Sequence, residues 1–400
     1  MSSGSNLTSV AQIYKRKYSD DEIGDQVMRE HPLYQRIRKI GGFTGDSGGK
    51  AYLIKTGNPQ GVSSTLAAAQ ASVSGSAGKQ PKAVRTVKFG VITLSAEAMM
   101  ACEGDGAFYD LVTGETDGII EEYGDSCAFD LYRDGTGARG RVSSINGQVL
   151  TLTNADDVRN FKEGMTIVGD NSSSGASPNP GSASVDSIDE DSGTITLEAG
   201  GVAAANILAS DYLFRNGDGG ACVEGIALCT PLTAPTAGDS FRGIDRSSNV
   251  RRLAGVRISD TGNTIEYNIG RAAVAAKQIG RAQDEFYLNP INFFAIQQRQ
   301  NAKIEYDGGG DITAGVQSIQ IPTAAGMLRL VSDADCPTNR GYGMLMKEHY
   351  IWHMGEFPHV VRDDGKPSMR QIADDGIEIR IRGWWNYIQR RPGNFSVIAI

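Results

Sequence analysis

The 400-residue sequence contains no run of about 18 apolar residues, and so no segment able to cross a bilayer as a helix. Cysteine is sparse: five residues (Cys102, Cys127, Cys222, Cys229, Cys336), odd in number and scattered. Cys222 and Cys229, the nearest pair, are not at metal-ligand spacing, and a disulfide framework does not suit a chain of this size. Small buried hydrophobes are the expectation for these thiols. Basic charge is not in excess either. The 39 Lys and Arg stand against 47 Asp and Glu, a net charge of −8, which is a poor basis for gripping phosphate by bulk charge. The N-terminus, Met1-Ser2-Ser3-Gly4-Ser5-Asn6, lacks the basic and apolar regions of a secretory signal.

Glycine, by contrast, is abundant. Fifty of 400 residues is one in eight, against roughly 7% in ordinary proteins, and argues for many turns and extended segments. The length allows two or three domains at about 150 residues each. The most informative stretch is Gly57 to Pro81, in which Gly, Ser, Ala and Gln predominate. It lies between Ala51-Tyr52-Leu53-Ile54 and Val84-Arg85-Thr86-Val87-Lys88-Phe89, which read as strands. Loops this long inside a compact domain are functional or disordered as a rule. An arm of this composition cannot offset its ordering entropy with apolar contacts of its own. The expectation is a projecting arm, ordered by neighbouring copies of the same chain.

Acidity is concentrated in one block. Residues 141–220 hold 4 basic groups (Arg141, Arg159, Lys162, Arg215) against 11 acidic ones, and the remainder is close to neutral. The block contains an internal repeat. Val142-Ser143-Ser144-Ile145-Asn146-Gly147-Gln148-Val149-Leu150-Thr151-Leu152 is echoed by Val185 to Asp189 and Gly193-Thr194-Ile195-Thr196-Leu197. Asn-Gly between alternating strands is a strong hairpin signal, and about six short strands at this spacing predict a small β-barrel or sandwich. Upstream, a basic cluster, Lys15-Arg16-Lys17, precedes a helix start at Ser19, with Pro32 closing that helix near His31. Ser95 is placed to cap a short helix from Ala96 to Cys102. Phe108, Leu111, Val112, Ile119, Tyr123, Cys127 and Leu131 follow near the 3.6 period, so a long helix is expected there. Gly114, Gly118 and Gly124 weaken it by about 1 kcal/mol each, so it needs packing to persist. Downstream, helices are expected over Ile269–Ala282 and Ile291–Gln300, a strand at Glu285–Leu288, and strands through most of the last third.

Motifs of catalysis are present in letters only. Gly45-Asp46-Ser47-Gly48-Gly49 matches the nucleophile segment of trypsin-like proteases, but that chemistry needs a His base and a buried Asp. Only His31 precedes Ser47, beside a proline, so a turn is the better reading. Gly135-Thr136-Gly137-Ala138-Arg139-Gly140 matches a dinucleotide-binding pattern, yet the predicted helix precedes it and the strand follows, the reverse of what phosphate binding requires. His349 and His353 would share a metal on a helix. Their surroundings are strand formers, which would set them about 13 Å apart. Asp307-Gly308-Gly309-Gly310-Asp311 lacks the alternating acids of a calcium loop and reads as a loop tip.

Taken in order, these parts resemble the major capsid proteins of tailed bacteriophages, built on the Hong Kong 97-type fold. Two local runs strengthen the resemblance. Tyr287-Leu288-Asn289-Pro290-Ile291-Asn292-Phe293-Phe294-Ala295-Ile296 looks like that family's strand, Asn-Pro and helix passage. Gly376-Ile377-Glu378-Ile379-Arg380-Ile381-Arg382-Gly383-Trp384-Trp385, with Arg391-Pro392-Gly393-Asn394-Phe395, looks like its terminal strand pair and Arg-Pro turn.

The resemblance implies an α+β chain with an N-terminal arm (1–49), an extended β-hairpin loop (50–93), and a spine helix with peripheral domain (94–140). An inserted acidic β-domain (141–220), an axial domain (221–345) and late strands returning to the peripheral and axial domains (346–400) complete it. It implies a virion shell protein, not an enzyme, forming hexamers and pentamers around double-stranded DNA, without cofactor, metal or membrane. A separate scaffolding protein, a portal and a decoration protein would be further partners. Residues expected to touch neighbouring copies are Lys15, Arg16, Lys17, Asn58, Pro59, Gln60, Lys79, Lys82, Arg85, Arg382, Trp384 and Trp385. Some members cross-link an extended-loop Lys to an Asn of another subunit. Lys79 and Lys82 lie in that region, but no partner Asn is identifiable, and the chemistry is not carried over. The repeat alone leaves a second reading open, a β-rich phage tail or adhesin-type binding module.

Overall fold

The computed structural model describes residues 31–43, 49–97, 107–280, 282–301, 318–362, 368–370 and 375–400. Lys15-Arg16-Lys17, the helix expected from Ser19, most of the Gly45–Gly49 motif, the end of the short helix after Ser95 and the Asp307–Asp311 loop lie outside them.

A long β-sheet carries strands Arg38–Ile40, His349–Val360, Gly376–Gln389 and Ser368–Arg370, and strand Thr86–Ser95 runs antiparallel along the other side of Gly376–Gln389. Alternation along Thr86–Ser95 buries Gly90, Ile92 and Leu94 on one face and leaves Val87, Phe89 and Val91 open on the other. The helix Ala107–Tyr132 packs on the buried face. Gly90 lets the helix lie close, for a Cβ there would stand 3.2 Å from Ile119 Cγ1 and 3.6 Å from Tyr123 Cδ2. At 26 residues the helix persists despite its glycines. Its second half is sunk in the core through Tyr123, Cys127, Ala128, Leu131 and Tyr132, as expected where packing rather than propensity supplies helix stability.

A six-stranded sheet forms the second body, in the order Val256–Ile258, Ser396–Ala399, Arg340–Met344, Glu285–Leu288, Gly326–Ser332, Ser318–Thr323. Helix Ile265–Ile279, capped by Thr264, lays Ile269, Ala272, Ala273 and Ala276 into the same core as Phe286, Leu288 and Leu330. The small alanines let the helix approach closely. The last two strands, expected as a pair, belong to different sheets: the turn Pro392–Asn394 carries the chain from the long sheet to the six-stranded one. There Ser396–Ala399 pairs parallel with Val256–Ile258, so these late strands join the two bodies.

Between helix Ala107–Tyr132 and the second body, the chain makes a closed six-stranded barrel. Its order is Ala183–Asp189, Thr194–Leu197, Val149–Leu152, Ala138–Asn146, Tyr212–Arg215, Thr166–Asp170, returning to the first. The two copies of the repeat are its two hairpins, turning at Asn146-Gly147 and near Gly193, both glycines with positive φ (62° and 64°). They lie side by side, with Leu150 opposite Ile195. Val142, Leu150, Leu152, Ile167, Val185, Ile195, Leu197 and Leu213 fill the interior. Asp134 to Gly137 form the turn leading in, with a helix before and a strand after.

Pro32 opens a short helix, Pro32–Arg36, because its missing N–H and fixed φ suit the first helical position; the helix it was expected to close lies outside the described residues.

Candidate assembly interface

The arm is a two-storey hairpin. At its root Lys50–Ala51 pairs with Lys82–Ala83, and above it Ile54–Gly57 pairs with Ala77–Lys79. The tip has structure the sequence reading did not anticipate: a helix, Leu66–Ala71, whose N-cap Thr65 accepts from the Ala68 N–H. The Gln60 N–H donating to Ser74 Oγ at 3.1 Å folds the tip on itself. Nothing on this helix is buried. From Asn58 to Gln80 every side chain but half-buried Ala69 is exposed, with Val62 at 94%, Leu66 at 75% and Val73 at 72%. Charge adds to the picture: no acidic residue occurs between Asp46 and Glu97, while Lys50, Lys55, Lys79, Lys82, Arg85 and Lys88 all do.

The root is firmly held. Phe43, Tyr52 and Trp352 pack ring on ring at centroid distances of 5.6 and 6.0 Å, and Lys50 Nζ donates to Gly42 O while lying over Trp352. Arg85 Nη1 donates to Phe43 O at 3.3 Å. Asn386 Nδ2 donates to Val84 O at 2.6 Å. Arg242, from the hairpin Ser240–Phe241/Ile244–Asp245, reaches in from the other side. Its guanidinium donates to Tyr52 Oη (3.0 Å), Glu224 Oε2 (2.6 Å), Asn386 Oδ1 (3.1 Å) and Tyr387 O (2.9 Å).

Of the expected contact residues, Asn58, Pro59, Gln60, Lys79 and Lys82 stand on the exposed arm and Arg85 at its root. Arg382 and Trp384 lie on the open face of the long sheet, registered against Phe89 and Val87, with the Arg382 guanidinium 4.7 Å above the Trp384 ring. Trp385 is corrected. It points to the opposite face and is fully buried in the chain's own core, so it presents no surface to a neighbour.

A second polar assembly, unsignalled in the sequence, joins the bodies. His31 Nδ1 meets Asp335 Oδ2 and Nε2 meets Asp125 Oδ1, both at 2.6 Å. A carboxylate at each ring nitrogen requires both to carry protons. Burial alone would lower the His31 pKa, but the hydrogen bonds and charges of Asp125 and Asp335 raise it to about 10. Asp125 continues to Lys162, Lys162 to Glu122 at 2.5 Å, and Glu122 to Arg215. Burial pushes Asp125 up, yet its bonds to His31 and Lys162 hold it below the ordinary range. Beside it Asp333 accepts from the Leu33 N–H and Tyr132 Oη, and burial with the neighbouring Asp335 charge raises it to about 6. A cleft of about 170 Å³ opens here between barrel, long helix and the Ala334-Asp335 loop. Arg139, Arg159 and Lys162 offset Glu122, Asp125, Glu190 and Asp335 on its walls, so it presents little net field to a charged ligand.

His349 sits at 0% exposure against Phe395 and Tyr387, and burial lowers its pKa. It shares the strand His349–Val360 with His353. Among the described residues no group of three or more His, Cys, Asp or Glu is placed to hold a metal ion.

A long helix across an extended sheet, a projecting hairpin before it and a separate six-stranded body after it make up the Hong Kong 97-type capsid fold. Among solved structures the chain is similar to one from the cyanophage A-1(L) capsid asymmetric unit, with a TM-score of 0.54 and 10% identity over 96% of each chain. It also matches a chain from the capsid of an empty GTA particle (TM-score 0.47, 10% identity, 97% of this chain and 96% of that one). A third match is to a Mycobacterium phage Bobi chain (0.46, 9%, 98% of each). The first of these carries the fold assignment. The sequence matches no family model and no curated protein.

Proposed function

We propose that this chain is the major head-shell protein of a tailed-phage-type particle, self-assembling as hexamers and pentamers into an icosahedral shell around double-stranded DNA. The observation that carries the reading is the exposed arm. It is held rigidly at the root, yet its tip touches nothing of its own chain that could bury Val62, Leu66 or Val73. Covering one such side chain contributes about 1.5–3 kcal/mol, so a neighbour that covered all three would gain roughly 5–9 kcal/mol per arm before the cost of association. Repeated around a ring, such a head-to-tail contact closes an assembly. The open face bearing Val87, Phe89, Val91 and Trp384 is a second surface for neighbouring copies. The barrel is read as an inserted domain on the outer side of the shell. Its Lys162 and Arg215 turn inward to the long helix, leaving exposed Asp186, Asp189 and Asp191 on a surface that would repel packaged DNA.

Scaffolding, portal and decoration proteins complete the proposed particle. Deleting Gly57–Pro81 tests the reading: the expected product is a soluble, folded chain that makes no stable shells in electron micrographs. Shells of normal stability from that deletion would defeat it, and unaided assembly of the purified chain would remove the scaffolding partner.

A further inference from the structure

We propose that Arg242 is the positioning residue of the arm, a buried latch that fixes the direction in which the hairpin projects; the consequence for shells rests on the assembly reading above. Three observations converge on it. First, Arg242 and Gly243 form the two-residue turn between Phe241 and Ile244, and Arg242 itself holds φ at +48°. Asn, Asp or Gly is the usual occupant of such a turn, and an L side chain kept in the left-handed region by its surroundings is a mark of a constrained functional position. Second, the side chain is only 1% exposed, and all of its hydrogen-bond partners lie outside its own hairpin. These are Tyr52 on the arm, Glu224 on the segment leaving the barrel, and Asn386 and Tyr387 on the long sheet. Third, the backbone joins in, for the Lys82 N–H on the returning arm strand donates to Arg242 O at 3.0 Å.

The two sides of the arm root are therefore both fastened to one residue, Tyr52 through the guanidinium and Lys82 through the carbonyl. Asn386, which receives from Arg242, donates in turn to Val84 O. On the far side, Glu224 is followed by Gly225, where a Cβ would lie 2.4–2.6 Å from the carbonyls of Leu131, Asp130 and Arg133 at the end of the long helix. Arm, long sheet and long helix thus share one reference point. A charge pair such as Arg242–Glu224, buried on one side only, is weak evidence for stability, and the spread of Arg242's partners suits a latch.

Hydrogen exchange by mass spectrometry on the unassembled full-length chain, followed by electron microscopy of shells, tests the assignment. Arg242→Met removes the latch. Tyr52→Phe, which keeps the ring packed on Trp352 and loses one hydroxyl, guards against a variant that fails to fold. The expected result is exchange roughly tenfold faster at the Tyr52 and Lys82 amides in Tyr52→Phe, the fold-change of one charge-assisted hydrogen bond. Barrel amides such as Leu152 should stay unchanged, and shells should be irregular in diameter or absent. A purely structural role would speed exchange across the long sheet instead and would overturn the proposal. So would unchanged exchange at the root, or uniform shells from a chain whose root exchanges faster. The exchange result judges the latch without shells; wild-type shells absent even from cells that also make the particle's other proteins would end the assembly reading and leave the latch to exchange alone.

Discussion

Replacing His31 by Gln isolates the junction that ties the start of the described chain to the long helix and to the six-stranded body. In the wild type one imidazolium lies between Asp125 and Asp335. Asp333 accepts from the adjoining Leu33 amide at 3.2 Å, and Lys162 reaches Asp125 from the barrel. Gln fills similar space but brings no charge, leaving Asp335 without the cation bonded to it. Removing one member of a buried pair costs about 3–5 kcal/mol. Because the cleft admits solvent beside the pair, the expectation is about 3 kcal/mol of local opening free energy, or roughly a hundredfold faster exchange at the Leu33 amide.

The pH dependence gives the experiment its sign. The folded pKa of His31 is raised above 6.5 to about 10. Its contribution is therefore complete below pH ~6.5, declines as pH rises, and is gone once pH passes ~10. The gap between wild type and His31→Gln at Leu33 should be widest near pH 6.5 and should close by pH 10. A gap that stays constant from pH 6.5 to 10, or one below about tenfold at pH 7, would refute the assignment of a doubly protonated bridge.

Two further outcomes follow from packing. Gly90→Val drives a branched side chain into Ile119 and Tyr123; overpacking of this kind costs about 1–3 kcal/mol, and a lowered thermal midpoint with the arm tip's exchange unaltered would verify it. Val62→Ser with Leu66→Ser removes apolar groups already 94% and 75% exposed. The unassembled chain should melt within about 0.5 kcal/mol of wild type, while its shells dissociate at lower denaturant concentration.

Local signals were the legible part of this fold. Asn146-Gly147 between alternating strands marked one barrel hairpin, and the echo ending at Leu197 marked the other. The apolar spacing through Ile119, Tyr123, Cys127 and Leu131 foretold a long helix in spite of its glycines. The Leu66–Ala71 helix carries a local signal, since Ala is the strongest helix former and Thr65 an acceptable cap, but it is short and set among Gly and Ser that favour extended chain. What pairs across distance was hidden. Val256–Ile258 pairs with Ser396–Ala399, so the last two strands looked like a local pair when they belong to different sheets. His31 finds its acids 94 and 304 residues away, and Arg-Gly at Arg242 is not a turn signal any pattern would flag. Trp384 and Trp385 show the limit most simply. Neighbours in sequence, they face opposite ways from a strand, and only the packing of each side says which one is open.

The two ends of the barrel lie together: Phe214 is registered against Ala138, and Leu213 against Gly140. The chain thus departs and re-enters through adjacent, hydrogen-bonded strands, and the intervening seventy-odd residues make a loop of zero net span. A short linker could bridge that gap without stretching the rest of the molecule. Apart from its ties to the helix beneath, among them Lys162 and Arg215 to Glu122, Arg139 over Phe129 and Arg133 to Asn160, the same doorway would accept a foreign domain whose termini meet. The graft would ride on each copy of the chain.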